Sequence, residues 1–216
     1  MDSSSAGNAR LQPGSSSFPP LWHSRGYMPH FDSPDRIQHV TFHLADSLPA
    51  TVLARMEESL RAAPAAWRDA ERRRRIEDWI DAGHGCCLLR EPEAARLVQD
   101  SLLHFDAERY RLLAWVVMPN HVHALFQCIE GWTVSKIVSS WKSFTGRRLA
   151  ASFPPIRLEG ERVWHREYWD RFVRDAGHFL DAKRYIHENP VMAGLVTHAV
   201  EWEWSSAWVH PGMGKP

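Results

Sequence analysis

The chain has 216 residues, of which 44% are apolar, 24% charged and 11% aromatic, so collagen-like, wholly disordered and coiled-coil classes are excluded. That length supports one domain with its own core and some embellishment. Twenty-six basic residues balance 26 acidic ones, so no overall positive field marks a nucleic-acid coat.

Only Lys136, Lys142, Lys183 and Lys215 are lysines; the other basic residues are arginines, whose planar fork suits phosphate, although a GC-rich genome produces the same bias. The longest apolar run, residues 112–118, falls far below the roughly 20 residues that a spanning helix requires, so no membrane segment is expected. The N-terminus lacks a secretory h-region. Cys86, Cys87 and Cys128 form neither a disulfide framework nor a paired zinc motif, which points to a reducing, cytoplasmic setting.

Residues 1–34 are rich in Ser, Pro and Gly and read as a disordered leader, with the domain proper spanning about 35–212. Residues 37–44 alternate and contain Ile, Val, Thr and Phe, which predicts a first strand. A helical insertion follows at about 50–85. It is interrupted at Pro64, carries Arg72, Arg73, Arg74 and Arg75, and stops at Gly83. The arginine run suits either a solvated helix face or contact with a nucleic-acid backbone. Glu91, Pro92 and Glu93 open a further helix, with acids at the positive end of its dipole.

Residues 110–118 read as an apolar strand, Pro119 and Asn120 as a turn, and residues 121–126 as the return strand of a hairpin. A helix is expected from Thr133 to about Leu149, then a loop over 151–161 and an extended segment over 163–174. The last helix should run from Ala176 to Asn189, where Pro190, lacking an amide hydrogen, would stop it. Trp202, Trp204 and Trp208 should cap the core. Strand, helix, hairpin, helix, strand, helix is the order of an α+β fold. The expectation is a ferredoxin-like antiparallel sheet with helices largely on one face, plus the insertion.

Two features could carry chemistry. His121 and His123 lie two apart on a strand, so both imidazoles project from one face and form half of a metal site. Tyr185 and Asn189 lie four apart on a helix, so a phenol and an amide can address one point. Taken alone, each has an ordinary structural explanation: a chance pair among 13 histidines, a packed ring, a helix-end residue.

The combination is more specific. Residues 115–125 (WVVMPNHVHAL) resemble the His-hydrophobic-His strand of the single-tyrosine HUH transposases. Residues 184–196 (RYIHENPVMAGLV) resemble the tyrosine helix of the same group, in the branch associated with repetitive extragenic palindromes (REP). Residues 163–170 and 173–175 are similar to the segment preceding that helix, and Glu203-Trp204-Ser205-Ser206 stands where that branch often has Trp-Pro-Ser-Ser.

The resemblance implies a metal-dependent DNA endonuclease and strand transferase. His121, His123 and Asn189 would hold Mg²⁺ or Mn²⁺, and Tyr185 would attack a phosphodiester of single-stranded or hairpin DNA to form a 5′-phosphotyrosine. It also implies a bacterial, nucleoid-associated protein acting as a monomer or homodimer. The neutral total charge and the long region 46–90 depart from that pattern.

Within residues 131–174, nine basic residues face four acidic ones, which concentrates positive charge locally. Lys136, Lys142, Arg147, Arg148, Arg166 and Arg174 are the candidate DNA contacts, with His165 and His187 behind them. Trp132, Trp164, Tyr168 and Trp169 could be stacking platforms or core, and Trp141 is read as core. Cys128, five positions from His123, should point to the other face and be structural. Two alternatives stay open: a catalytically silent hairpin-binding module of the same fold, and an unrelated metal-dependent hydrolase. The second is ranked last, because no carboxylate pair or third histidine stands in register with the pair.

Overall fold

The computed structural model describes residues 22–24, 29–31, 36–153 and 162–208. Most of the segment read as a leader, and most of the loop at 151–161, lie outside the described residues. Within the former, β1 (Trp22–Ser24) and β2 (Pro29–Phe31) form a short antiparallel pair.

Four strands make the main sheet: β3 (Ile37–His43), β4 (Tyr110–Val117), β5 (His121–Cys128) and β6 (Trp169–Phe172). Their spatial order is β4-β5-β3-β6, and every pairing is antiparallel. This is the ferredoxin-like order. Of the extended stretch expected at 163–174, only β6 is a strand; Trp164 contributes a single bridge to Leu44.

The pleat sorts side chains between two faces. Val40 and Phe42 of β3, with Leu44 just beyond it, join Val122, Ala124, Phe126 and Cys128 of β5 on one of them. There they pack against the two crossover helices, α3 (Pro92–Leu103) and α4 (Val134–Ser152). Trp141, Trp164 and Tyr168 belong to this core, and Trp169 packs in a separate apolar cluster, so these four rings are not free stacking platforms. Trp141 Nε1 donates to Tyr110 Oη at 3.0 Å, and Trp164 Nε1 donates to Thr145 Oγ1 at 2.9 Å. Their polar ends are thereby satisfied inside the core.

The opposite face carries the odd-numbered residues of β3 and β5, and it is covered by different helices. The insertion supplies α1 (Ala50–Leu60) and α2 (Ala65–Asp81). Ile76 and Ile80, one turn apart on α2, are both buried against Leu48 and Trp169. The remaining helix, α5 (Ala176–Met192), buries Ala182 and Ile186 against Ala114, Val116, Met118 and Leu125. The two crossover helices thus share a face as expected, while α5 stands across the sheet from them.

Pro190 does not end α5; the helix continues to Met192. Only proline's own amide and the carbonyl one turn back are disturbed, and the last turn tolerates that loss. Gly194 ends the helix instead, at φ +68°. Gly194 N donates to Val191 O and Leu195 N donates to Pro190 O, each at 2.9 Å, the paired closure of a glycine-terminated helix.

Beyond α5 the chain returns along the outer edge of β4. Val117 N donates to Trp204 O at 2.8 Å, and Ser206 N donates to Trp115 O at 3.0 Å. Trp204 is buried in the core, Trp202 partly so, and Trp208 is exposed. Among the described residues no helix is long and apolar enough to cross a membrane.

Candidate functional site

The His121 and His123 side chains leave β5 on the face shared by α2 and α5, and both are buried. Their Nε2 atoms lie 3.0 Å apart. Each Nδ1 meets a polar partner: His121 Nδ1 is 2.7 Å from Asn120 Oδ1, and His123 Nδ1 is 2.8 Å from Thr41 Oγ1. His39 Nε2 approaches His123 Nδ1 at 3.2 Å from the neighbouring strand.

Two helices bring further groups to this point. Asp175 caps α5 by accepting from His178 N at 2.8 Å, and the buried Ala182–Ile186 stripe fixes the helix's rotation. That rotation turns Tyr185 and Asn189 toward the histidines. The rings of Tyr185 and His123 are 5.3 Å apart, edge to face. Asn189 is buried, with Nδ2 3.4 Å from His123 Nε2, while its Oδ1 has no hydrogen-bond partner among the described residues.

From the other side, α2 ends at Asp81. Its Oδ1 lies 3.3 Å from His121 Nε2 and 3.9 Å from His123 Nε2. Its Oδ2 accepts the Tyr185 hydroxyl at 2.7 Å. Asp81, His121 and His123 form a cluster whose ligand atoms all lie within 4.8 Å of one another.

The electrostatics follow from burial. Burial, and then the neighbouring His123, push His121 down to about 3, so its imidazole is neutral. Burial alone would raise Asp81; the imidazoles of His123 and His121 and the Tyr185 hydroxyl overcome it and hold the carboxyl at about 2. Burial and the Asp81 carboxylate raise Tyr185 well above an ordinary phenol, so the hydroxyl keeps its proton at neutral pH.

This donor set suits a divalent cation. Nε2 atoms 3.0 Å apart on buried imidazoles, a carboxylate oxygen beside them and an amide oxygen without a partner are groups that a cation satisfies together. The expected set was His121, His123 and Asn189. These three do meet, but Asp81, absent from that expectation, is the oxygen donor turned toward the imidazoles, while Asn189 presents its nitrogen.

Contrary to the expectation from sequence, a third histidine stands beside the pair. His39 lies on the adjacent strand on the same face, and Glu77 lies one turn before Asp81 on α2. Residues 39, 41 and 43 alternate as His, Thr, His and are buried or nearly so, a polar face within an inner strand that marks this side of β3. No comparable signal distinguishes Asp81 from the other acids of α2.

The candidate DNA contacts do not surround the histidines. Lys136, Lys142, Arg147 and Arg148 lie on α4, across the sheet from them. Lys142, Gly146, Arg147, Arg162, Trp164 and Arg166 line an open cleft of about 570 Å³ between α4 and the following segment. Lys142 Nζ donates to the carbonyls of Arg166 at 2.8 Å and Glu167 at 3.3 Å, and burial pushes its ammonium down to about 8. Arg147 and Arg148 are exposed, and Arg174 begins the approach to α5.

His165 stacks on His43 at 4.5 Å, and His187 Nε2 meets Ser206 Oγ at 2.9 Å. Three arginines of the α2 run are engaged internally: Arg72 with Glu57, Arg74 with Glu71 and Asp78, and Arg75 with Glu71. Trp132 is half-buried beneath the Arg109 guanidinium.

Residues 96–189 match the family model described as "Transposase IS200 like". The matched segment includes both β5 histidines, Tyr185 and Asn189, and leaves out α2 with Asp81. The chain is 25% identical over 112 residues to the REP-associated tyrosine transposase of Escherichia coli (strain K12), covering 51% of this chain and 63% of that protein. A second curated relative, from Haemophilus influenzae, is 25% identical over 103 residues, or 58% of its length. The chain thus spans less than two thirds of either relative. A solved structure of the REP-associated tyrosine transposase bound to a REP hairpin shares the fold. Its TM-score is 0.53 at 15% identity, covering 85% of this chain and 82% of that one.

Proposed function

We propose, from the match of residues 96–189 to the model described as "Transposase IS200 like", that the chain cleaves and rejoins DNA strands through a covalent bond to Tyr185. The substrate proposed is single-stranded or hairpin DNA. One observation carries the reading. The Tyr185 hydroxyl lies 2.7 Å from one oxygen of Asp81, whose other oxygen lies 3.3 Å from His121 Nε2.

His121 and His123, with oxygen from Asp81 or Asn189, would hold Mg²⁺ or Mn²⁺. Such a cation polarises a bound phosphate and stabilises the charge that develops on it. The remaining work falls to the chain's own residues. Tyr185 Oη attacks phosphorus, forming the Oη–P bond while the bond to the 3′ oxygen breaks. The phenolic proton leaves along the hydrogen bond to Asp81, and the departing 3′ oxygen takes up a proton to become a free hydroxyl. Packing of the half-buried Tyr185 against His123 and Asp81 restricts water at the phosphotyrosine. The stored phosphodiester then awaits a 3′-hydroxyl that reverses the step and joins the strands.

Lys136, Lys142, Arg147, Arg148, Arg166 and Arg174 are proposed to hold the DNA backbone. Of those on α4, Lys136, Arg147 and Arg148 are exposed and Lys142 is half-buried.

The test is a labelled hairpin oligonucleotide incubated with Mn²⁺ and resolved on a denaturing gel. The natural chain should give a protein–DNA adduct that Tyr185→Phe does not. Binding without an adduct in either protein would instead identify a silent hairpin-binding module. Cleavage to a free 5′-phosphate that survives Tyr185→Phe would identify a hydrolase.

A further inference from the structure

Asn120 reads in the sequence as a turn residue, yet its side chain is buried between the end of α2 and the start of β5. Its two amide hydrogens are both committed. Nδ2 donates to the carbonyl of Ile80 at 2.9 Å and to the carbonyl of His84 at 3.0 Å. A carboxamide gripped in this way has one orientation, because the reverse would set its oxygen against two carbonyl oxygens. Oδ1 therefore faces His121 Nδ1, 2.7 Å away, and an amide oxygen can only accept.

His121 Nδ1 must then carry the hydrogen, which leaves the lone pair on Nε2, the nitrogen nearer Asp81 and His123. The backbone of Asn120 is held as firmly: its carbonyl accepts Leu44 N at 2.8 Å, and the turn closes from Met118 N to His121 O at 2.8 Å. The two carbonyls in its grip flank Asp81 in the chain, on either side of the helix end at Ala82 and Gly83.

We propose that Asn120 is a positioning residue that sets the tautomer of His121 and, with the same carboxamide, holds the end of the α1–α2 insertion so that Asp81 meets the histidines. The insertion is then a working part of the site, locked to the histidine strand through one side chain. The inference deepens the proposed function and rests on its reading of His121 as a cation ligand. A hydrogen-bond partner behind a metal-binding imidazole orients the ring and raises its basicity, and its loss typically weakens metal binding 10–100-fold.

The experiment has two readouts on the full chain. Long-range ¹H–¹⁵N NMR of the metal-free protein reads the tautomer directly, and His121 should be protonated at Nδ1. In Asn120→Ala that preference should disappear, and Mn²⁺ affinity measured by calorimetry should fall roughly 10–100-fold. Asn120→Asp keeps an acceptor for His121 but cannot donate to both carbonyls. It should retain the tautomer while losing Mn²⁺ affinity through Asp81.

An Nε2-protonated His121 in the natural chain overturns the proposal, and that measurement needs no variant to fold. An unchanged tautomer and unchanged Mn²⁺ affinity in a folded Asn120→Ala also overturn it. A natural chain with the stated tautomer that binds no Mn²⁺ removes the cation reading and leaves the role of Asn120 in orienting His121 standing.

Discussion

The Tyr185 hydroxyl and the Asp81 carboxylate, 104 positions apart in the chain, meet in a 2.7 Å hydrogen bond. One residue belongs to the helix after the sheet's last strand and the other to an insertion outside the transposase-family match, so the nucleophile proposed here is oriented by a part of the chain that the match leaves out. The two replacements of Asp81 should differ. Asparagine still accepts from the phenol but removes the charge beside the imidazoles; alanine removes both. Adduct formation with a hairpin oligonucleotide should fall at least about tenfold for Asp81→Asn and further for Asp81→Ala. Equal rates for the two variants would show that the hydrogen bond to Tyr185 contributes nothing.

Cation binding should register as stability. A ligand that binds only the folded chain, at 100 times its dissociation constant, stabilises it by about 2.7 kcal/mol. For a chain of this size that corresponds to a rise in Tm of roughly 5–10 °C. Mn²⁺ should produce such a rise, a chelator should reverse it, and His121→Ala should abolish it. Differential scanning fluorimetry suffices to measure all three.

Legibility in the sequence varies by element. The β4–β5 hairpin is legible because its alternation and turn residues are local, and the fold order follows from it. The His121–His123 pair is legible for the same reason, since a strand's two-residue period places both rings on one face. Asp81 is not. It is one of several acids on α2, and only tertiary packing of Ile76 and Ile80 under Leu48 and Trp169 turns that helix end toward the site. Asn120 is hidden by a different ambiguity, because asparagine after proline already has a sufficient explanation as a turn residue. At Pro190 the local rule misleads: the ring disturbs only the final turn, and Gly194 supplies the actual stop.

The arginines divide by whether acids already occupy them. Arg147 and Arg148 are exposed on α4, whereas Arg74 is engaged by Glu71 and Asp78. Joint replacement of Arg147 and Arg148 by alanine should weaken hairpin binding. The slope of log affinity against log salt should fall by about one for each phosphate that the variant no longer neutralises. Arg74→Ala should leave the slope unchanged. Titrations at several salt concentrations decide between these outcomes.

Lys142 predicts a pH effect of definite sign. Burial lowers its ammonium from 10.5 to about 8 in the folded chain, with Glu167 acting in the opposite direction. The unfolded chain therefore holds this proton more tightly, and stability from this group rises with pH between about 8 and 10.5. The same contribution is lost as pH falls back toward 8. Lys142→Met should thus be favoured relative to the natural chain at pH 7 and lose that advantage by pH 10. Urea denaturation at both pH values measures it, and an advantage that does not change with pH would contradict the burial effect.

The return of the chain along β4 bears on how copies of this protein can associate. Trp204 and Ser206 occupy main-chain groups of Trp115 and Val117 that a second sheet would need in order to continue across that border. This margin is sealed by residues 202–206 of the same chain. Deleting everything after residue 198 should leave a bare strand rim that recruits its like, and sedimentation of the shortened protein should reveal concentration-dependent self-association that the intact chain does not show through this edge.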